Sequence, residues 1–312
     1  MLTKEKLKGH LSILVANILF AVNMPISKYL LPSHITPEEL TIMRMLSACV
    51  LFWITSLFIK QEKVPVRDLG LLFLCALCGV GFNQGLFIEG LSRTSPVDAS
   101  IISTAGPIFV MLLAAFILKE PITRQKTFGV IIGACGGVSL ILSSTHASST
   151  SSSLDGDLLI VLSSFCYSIY LVISRPLSQR YSPTTIMKWM FLFSSLVLLP
   201  IMYKHILDAP AFHRITPDWK ELGTIAFVLI GATFIPYMLI PVSLKRIRPT
   251  TVSMYIYLQP FVASLLAVLI GQDRFTVWKI LSAALVFVGV YLVTQSKSRE
   301  DIEKEKGQKA AK

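Results

Sequence analysis

Charge is what this chain has least of. Asp, Glu, Lys and Arg make up 15% of 312 residues, against 53% hydrophobic residues, where soluble domains carry nearer a quarter charged. The mean hydropathy is +0.66. The five histidines, His10, His34, His146, His205 and His213, lie outside the long apolar runs or at their edges, and none has a partner at metal-ligand spacing. The five cysteines fall inside the runs, and Cys75 and Cys78 read as small apolar residues rather than as a redox or metal pair. The one Gly-rich run, Gly129 to Gly137, lacks the P-loop lysine, so no ATP-binding motif is present. No acid lies at mid-depth in any run, which leaves no clear proton or sodium site. An intramembrane enzyme needs a positioned nucleophile and base, or a metal cluster, at depth. With neither in the sequence, no catalytic residue, metal or cofactor is expected.

What the chain has in excess is apolar length. Ten runs of about 18 to 23 residues, from Leu11–Leu31 to Val277–Gln295, are each long enough to cross a hydrocarbon core of ~30 Å. The run at Thr127–Leu142 is the shortest. The first run holds Asn17, Asn23 and Lys28 and is followed by no small-residue cleavage site, so it reads as a span rather than a signal peptide. The net charge of +11 is distributed as orientation requires. With the amino terminus inside, twenty Lys and Arg fall on inner loops and the tail, and six on outer loops. That bias puts both termini in the cytoplasm and excludes a nucleic-acid partner as the reason for the basic charge. The linker Ser143 to Gly156 has no Lys or Arg, as an outer loop should.

The chain repeats itself. Leu91 to Thr123 aligns without a gap on Leu244 to Thr276, 153 residues later, with ten of 33 pairs identical. Arg93/Arg246, Pro96/Pro249, Ser100/Ser253 and Pro107/Pro260 are among them, and Glu120 stands where Asp273 stands. Phe20 to Asn23 matches Tyr167 to Tyr170, and Lys28 matches Arg175, at an offset of 147. Five runs per copy is an odd number, so the second copy enters the membrane upside down. The expected fold is an all-α integral membrane protein of ten transmembrane helices, in two inverted five-helix repeats.

Phe20 to Lys28, Arg44, the stretch SPVDASIISTAGPI and the stretch LLAAFILKEPITRQKTFGVIIGACGGV together carry a family likeness over nearly the whole chain. The sequence resembles a ten-helix member of the drug/metabolite transporter superfamily, of the EamA type. It departs at Phe20, where that family has tryptophan followed by glycine, and at Gln272-Asp273, where Gly-Glu is usual. The resemblance implies a first EamA-like repeat over 1–143, an outer linker over 144–156, a second repeat over 157–295 and a cytoplasmic charged tail over 296–312. It also implies a multi-pass protein of the bacterial inner membrane that exports a small metabolite. A lipid or lipid-linked flippase of the same fold is the alternative.

Polar side chains inside the runs are the candidate site. Asn23, Asn83, Gln84, Thr104, Tyr167, Tyr170, Tyr237 and Tyr257 lie on paired runs of the two copies, which favours a midplane cavity. Such a wall, amide-rich on one side and tyrosine-rich on the other, suits an amphipathic solute such as an amino acid or derivative. The competing reading is that each polar group ties two helices together. Charges within spans are costly and are usually functional. Lys28 and Arg175 near span ends, the deeper Arg44, and Glu120 and Asp273 at the span termini are read as gating or structural groups. Pro107 and Pro260 are read as symmetrical kinks of the moving frame. The ridge Gly129, Gly133, Gly136 and Gly137 reads as close helix packing, with a homodimer face as the alternative. The partners expected are the solute and the lipid bilayer.

Overall fold

A computed structural model describes residues 4–31, 35–94, 99, 102–142, 154–207, 219–269 and 276–297. Among these the chain is helical throughout, with no strand. We label the helices α1 (Lys4–Leu30), α2 (Pro37–Leu57), α3 (Val66–Arg93), α4 (Gly106–Ile117), α5 (Arg124–Leu142), α6 (Leu154–Arg180), α7 (Pro183–Leu207), α8 (Trp219–Leu244), α9 (249–269) and α10 (Val277–Gln295). Six of them, α1, α2, α3, α6, α7 and α8, are long and apolar enough to cross a membrane, and Gly106–Ile117 and Ile280–Gln295 are shorter apolar helices. Asp273 lies outside the described residues, as does the side chain of Lys28.

The outer surface is unlike a water-soluble protein's, and polar groups share the interior with an apolar core. Large apolar groups such as Leu112, Phe116, Phe128, Leu158, Leu196 and Phe287 face outward, while Asn17, Asn23, Ser27, Arg44, Gln84 and Ser174 are buried. A helix apolar on its outer face suits lipid, and the polar groups turn inward because hydrocarbon cannot hydrogen-bond them.

The short helices follow from the prolines. Pro107 sits in the first turn of α4, immediately after a turn at Thr104 and Ala105. In α9 the α-helix Pro249–Met254 gives way to a 3₁₀ turn, Tyr255–Tyr257, and resumes as Leu258–Leu269 just before Pro260. A proline ring clashes with the carbonyl four residues back and offers no N–H, so the winding gives way ahead of it. Both helices break at the same place in the repeat, since Thr104 and Tyr257 are equivalent positions.

Two other helices are underwound at corresponding places. α3 is π-wound over Leu77–Phe82 and α8 over Phe227–Phe234. Packing follows one pattern under exchange of the halves. α1 packs on α8 as α6 does on α3, α1 on α9 as α6 on α4, and α2 and α7 pack on each other. α5 and α10 form the closest pair. A Cβ on Gly289 would stand 2.6 Å from the Gly133 amide nitrogen, and one on Gly136 would stand 2.8 Å from the Ser282 carbonyl. The glycine ridge of α5 is thus spent on α10 of the same chain, and on Tyr257, whose ring fills the space beside Gly133.

Candidate functional site

A cavity of about 120 Å³ opens between the halves. That is room for several waters or a small solute. Asn17, Phe20 and Asn23 reach it from α1, Arg44 from α2, and Asn83, Gln84 and Phe87 from α3. Ser103 and Gly106 border it at the start of α4, Ser163, Ser164 and Tyr167 on α6, Tyr237 on α8, and Ile256 and Gln259 at the break in α9.

Much of this wall is built from equivalent positions of the two copies. Asn17 and Ser164, Phe20 and Tyr167, Ser103 and Ile256, and Gly106 and Gln259 are such pairs, and all eight line the cavity. The breaks in α4 and α9 place the last two pairs there. Several bonds cross between the halves within or beside the wall. Gln259 Nε2 donates to Asn17 Oδ1 at 2.9 Å, and Asn83 Nδ2 donates to Ser163 Oγ at 3.0 Å. Phe20 meets Tyr237 edge to face at 6.1 Å.

The π-wound stretches are held by donors from the opposite half. π-winding displaces carbonyls from their usual amide partners and is frequent at functional sites. The Tyr237 hydroxyl donates to the Gly79 carbonyl at 3.0 Å, and Ser194 Oγ to the Ala76 carbonyl at 2.8 Å. On the other side, Arg44 Nε donates to Thr233 Oγ1 at 2.8 Å and Nη2 to the Ala232 carbonyl at 3.4 Å. Thr233 in turn donates to the Val228 carbonyl at 2.8 Å, five residues back in the π-turn.

Five of the eight polar candidates, Asn23, Asn83, Gln84, Tyr167 and Tyr237, come together in this cavity. Thr104, Tyr170 and Tyr257 are not among the lining residues. Thr104 and Tyr257 sit at the helix breaks, where the loss of α-winding turns them toward α5; a Cβ on Gly137 would lie 3.5 Å from Thr104 and 3.7 Å from Tyr257. The Tyr257 hydroxyl donates to the Val130 carbonyl of α5 at 3.4 Å. Tyr170 is fully buried against Gly79 of α3, where its ring occupies the place of the missing side chain. Sequence reasoning passed over Asn17, Ser103 and Ser164 as cavity residues. The equivalence of Asn17 with Ser164 was already present in the first-span match and would have paired them.

A second cluster lies at the end where α1 begins. The backbone of Lys119 has φ 54°, a left-handed turn that ends α4, and the Glu120 amide donates back to the Ala114 carbonyl at 3.1 Å. Glu120 turns inward, where Lys126 Nζ lies 3.0 Å from Oε2 and Arg175 Nη1 lies 2.6 Å from Oε1. Thr250 Oγ1 adds a bond to Oε2 at 3.2 Å. Lys126 is 1% exposed. Among the described residues three ion pairs join one half to the other, Glu120–Arg175, Asp68–Arg180 and Glu5–Arg246, and all lie at this end. Glu62, in the loop before α3, accepts from the Ser182 amide at 2.9 Å. Burial raises its carboxyl, but this bond and those from Thr185 and Ser182 side chains outweigh it and hold the pKa below the usual value.

The EamA-like transporter family model matches this chain twice, over residues 7–143 and again over 154–295. The chain belongs to the EamA-like transporter family. Among its relatives, an uncharacterized transporter of Archaeoglobus fulgidus is 25% identical over 84% of this chain and 90% of its own length. The uncharacterized transporter YyaM of Bacillus subtilis is 24% identical over 74% of this chain and 75% of its own. The protein WALLS ARE THIN 1 of Arabidopsis thaliana is 26% identical over 95% and 85%. One solved crystal structure superimposes with a TM-score of 0.72 at 19% identity, over 94% of this chain and 98% of that one. The EamA-like chain is therefore a multi-pass membrane protein, and its family points to transport rather than catalysis.

Proposed function

We propose that this EamA-like protein is a secondary transporter of the plasma membrane, the inner membrane in bacteria, that exports a small amphipathic metabolite by alternating access. In this reading, ten transmembrane helices form two inverted repeats, both termini are cytoplasmic, and the solute binds between the halves. The observation that carries it is the cavity wall, in which equivalent residues of the two copies line one space. Inverted-repeat transporters bind at that place, with discontinuous helices around the site. The broken α4 and α9 and the π-wound α3 and α8 fit that description.

The ion-paired cluster supports a gate. With the amino terminus inside, Glu120, Arg175, Asp68, Arg180, Glu5 and Arg246 lie on the cytoplasmic side, and their bonds close it. Most of the cavity lining lies from mid-depth toward the other side. An amide-rich wall facing Phe20, Phe87, Tyr167 and Tyr237 suits a solute with a polar head and an apolar body.

The test is a panel of radiolabelled metabolites and labelled lipid in proteoliposomes. Saturable counterflow of a small solute, with Asn23→Ala and Tyr167→Ala reduced beside the parent, supports the reading. Scrambling of labelled lipid without solute flux would replace it with a flippase. Flux restricted to multiply anionic solutes would contradict the cavity argument.

A further inference from the structure

Arg44 brings a full positive charge to the cavity wall, and nothing charged in the described wall balances it. Its side chain is buried, yet its two bonds go to Thr233 Oγ1 and to the Ala232 carbonyl, both neutral. No Asp or Glu lines the cavity, and no described carboxylate pairs with Arg44. A guanidinium does not escape burial by losing its proton. An uncompensated charge held at this depth is costly and marks a functional group. Two of its five N–H bonds are committed to α8, which fixes the plane of the group and leaves donors on Nη1 and Nη2.

Gln84 is the independent observation. It lines the same cavity and is 3% exposed, and its amide sits beside the Tyr237 hydroxyl while neither its nitrogen nor its oxygen makes a hydrogen bond of ordinary length. Buried amides are almost always satisfied, so one left open in a cavity wall points to a ligand group that completes it. Phe20, Phe87 and Ile256 supply an apolar part of the same wall.

We propose that the cavity selects a solute bearing one carboxylate and an apolar body, with the carboxylate on Arg44, the Gln84 amide donating beside it, and the body against Phe20, Phe87 and Ile256. This rests on the transporter reading only in taking the cavity as the solute's place. One guanidinium and one neutral amide balance one negative charge, which disfavours phosphates and dicarboxylates. No carboxylate in the described wall takes an ammonium, which disfavours amines and sets a zwitterion below the matching simple acid. A planar, forked cation matches a carboxylate in a way that a lysine would not.

The experiment uses the purified full-length chain and four solutes that share a ring: phenylpropanoate, phenylpropanamide, phenylalanine and phenethylamine. Binding of labelled phenylpropanoate is measured by equilibrium dialysis, with the other three as competitors. Saturable binding is expected, with the amide and the amine at least ~10-fold weaker, about the value of one charge-assisted contact. Arg44→Gln is expected to lose at least ~10-fold for the acid and little for the amide, with Arg44→Lys between. If Arg44→Gln does not fold, Gln84→Glu serves, because it gives Arg44 an internal carboxylate and should expel the acid while sparing the amide. Equal potency of acid and amide, parent-like binding by the variant that folds, or no saturable binding of the acid overturns the proposal. Uptake into proteoliposomes separates the two readings. Binding of the acid with no flux of any of the four leaves the Arg44 anchor standing and removes transport. Flux of the amine or of phenylalanine, with no binding of the acid, does the reverse.

Discussion

The Tyr237 hydroxyl donates to the Gly79 carbonyl at 3.0 Å and so ties α8 of one half to the π-wound stretch of α3 in the other. The bond joins the cavity wall to the backbone irregularity behind it. Tyr237 is 2% exposed, so the bond is made away from bulk solvent. Tyr237→Phe keeps the ring and leaves the carbonyl unsatisfied, at a cost of about 1–3 kcal/mol. The melting temperature of the purified variant should fall accordingly. An unchanged melting curve would mean that the Gly79 carbonyl finds another donor.

Glu120 and Lys126 should behave as a unit. Glu120→Gln leaves Lys126 buried beside Arg175 without a full counter-charge, and loss of one partner from a buried pair costs about 3–5 kcal/mol. Replacing both, as Glu120→Leu with Lys126→Met, removes the need for pairing and should recover much of the loss. A double-mutant cycle on thermal stability measures this. Additive losses would show that the two side chains are not coupled.

The glycines divide into two groups. A Cβ on Gly289 meets the Gly133 backbone at 2.6 Å, whereas one on Gly85 meets nothing within 4 Å. Gly289→Ala must push α5 and α10 apart and should lower stability or abolish accumulation in the membrane. Gly85→Ala should be neutral or stabilising by about 0.5–1 kcal/mol, the ordinary helix preference of alanine over glycine. Reversal of that order would contradict the packing of α5 on α10.

Topology is tested at two serines outside the described helices. With cysteine introduced at Ser151 or at Ser298, an impermeant thiol reagent applied to intact cells should label the first and spare the second. The opposite pattern would invert the orientation drawn from the twenty-to-six charge bias.

Some of the site could be read in the sequence and some could not, for identifiable reasons. Asn23, Asn83, Gln84, Tyr167 and Tyr237 were legible because a polar side chain in an apolar run has few places to go other than inward. Thr104 and Tyr257 were assigned by an unbroken helical period. The α4 and α9 breaks fall on those two residues, and the cavity passes to Ser103 and Gly106 and to their equivalents Ile256 and Gln259. Pro107 and Pro260 announced a disturbance without fixing the residue at which the winding fails. The π-wound stretches left no comparable mark; Gly79, Gly81 and Gly231 lie in them, but glycine in a membrane helix has commoner uses. The depth of Arg44 was legible, but its choice of neutral partners depends on how α8 is wound. Glu120 was read as a helix-end group, and its buried partners Lys126 and Thr250 became visible only in the packed chain.

On the transport reading, the ion pairs at the amino-terminal end also govern rate. To face that side the carrier must part Glu120 from Arg175, Asp68 from Arg180 and Glu5 from Arg246. An empty carrier meets that separation with nothing to offset it. A loaded one draws on solute contacts that tighten as the far side shuts. Return of the unloaded form is then the slow limb of the cycle. Flux between two compartments that both hold solute should outrun flux into an empty one, and weakening the ties, for example with Asp68→Asn, should narrow that gap.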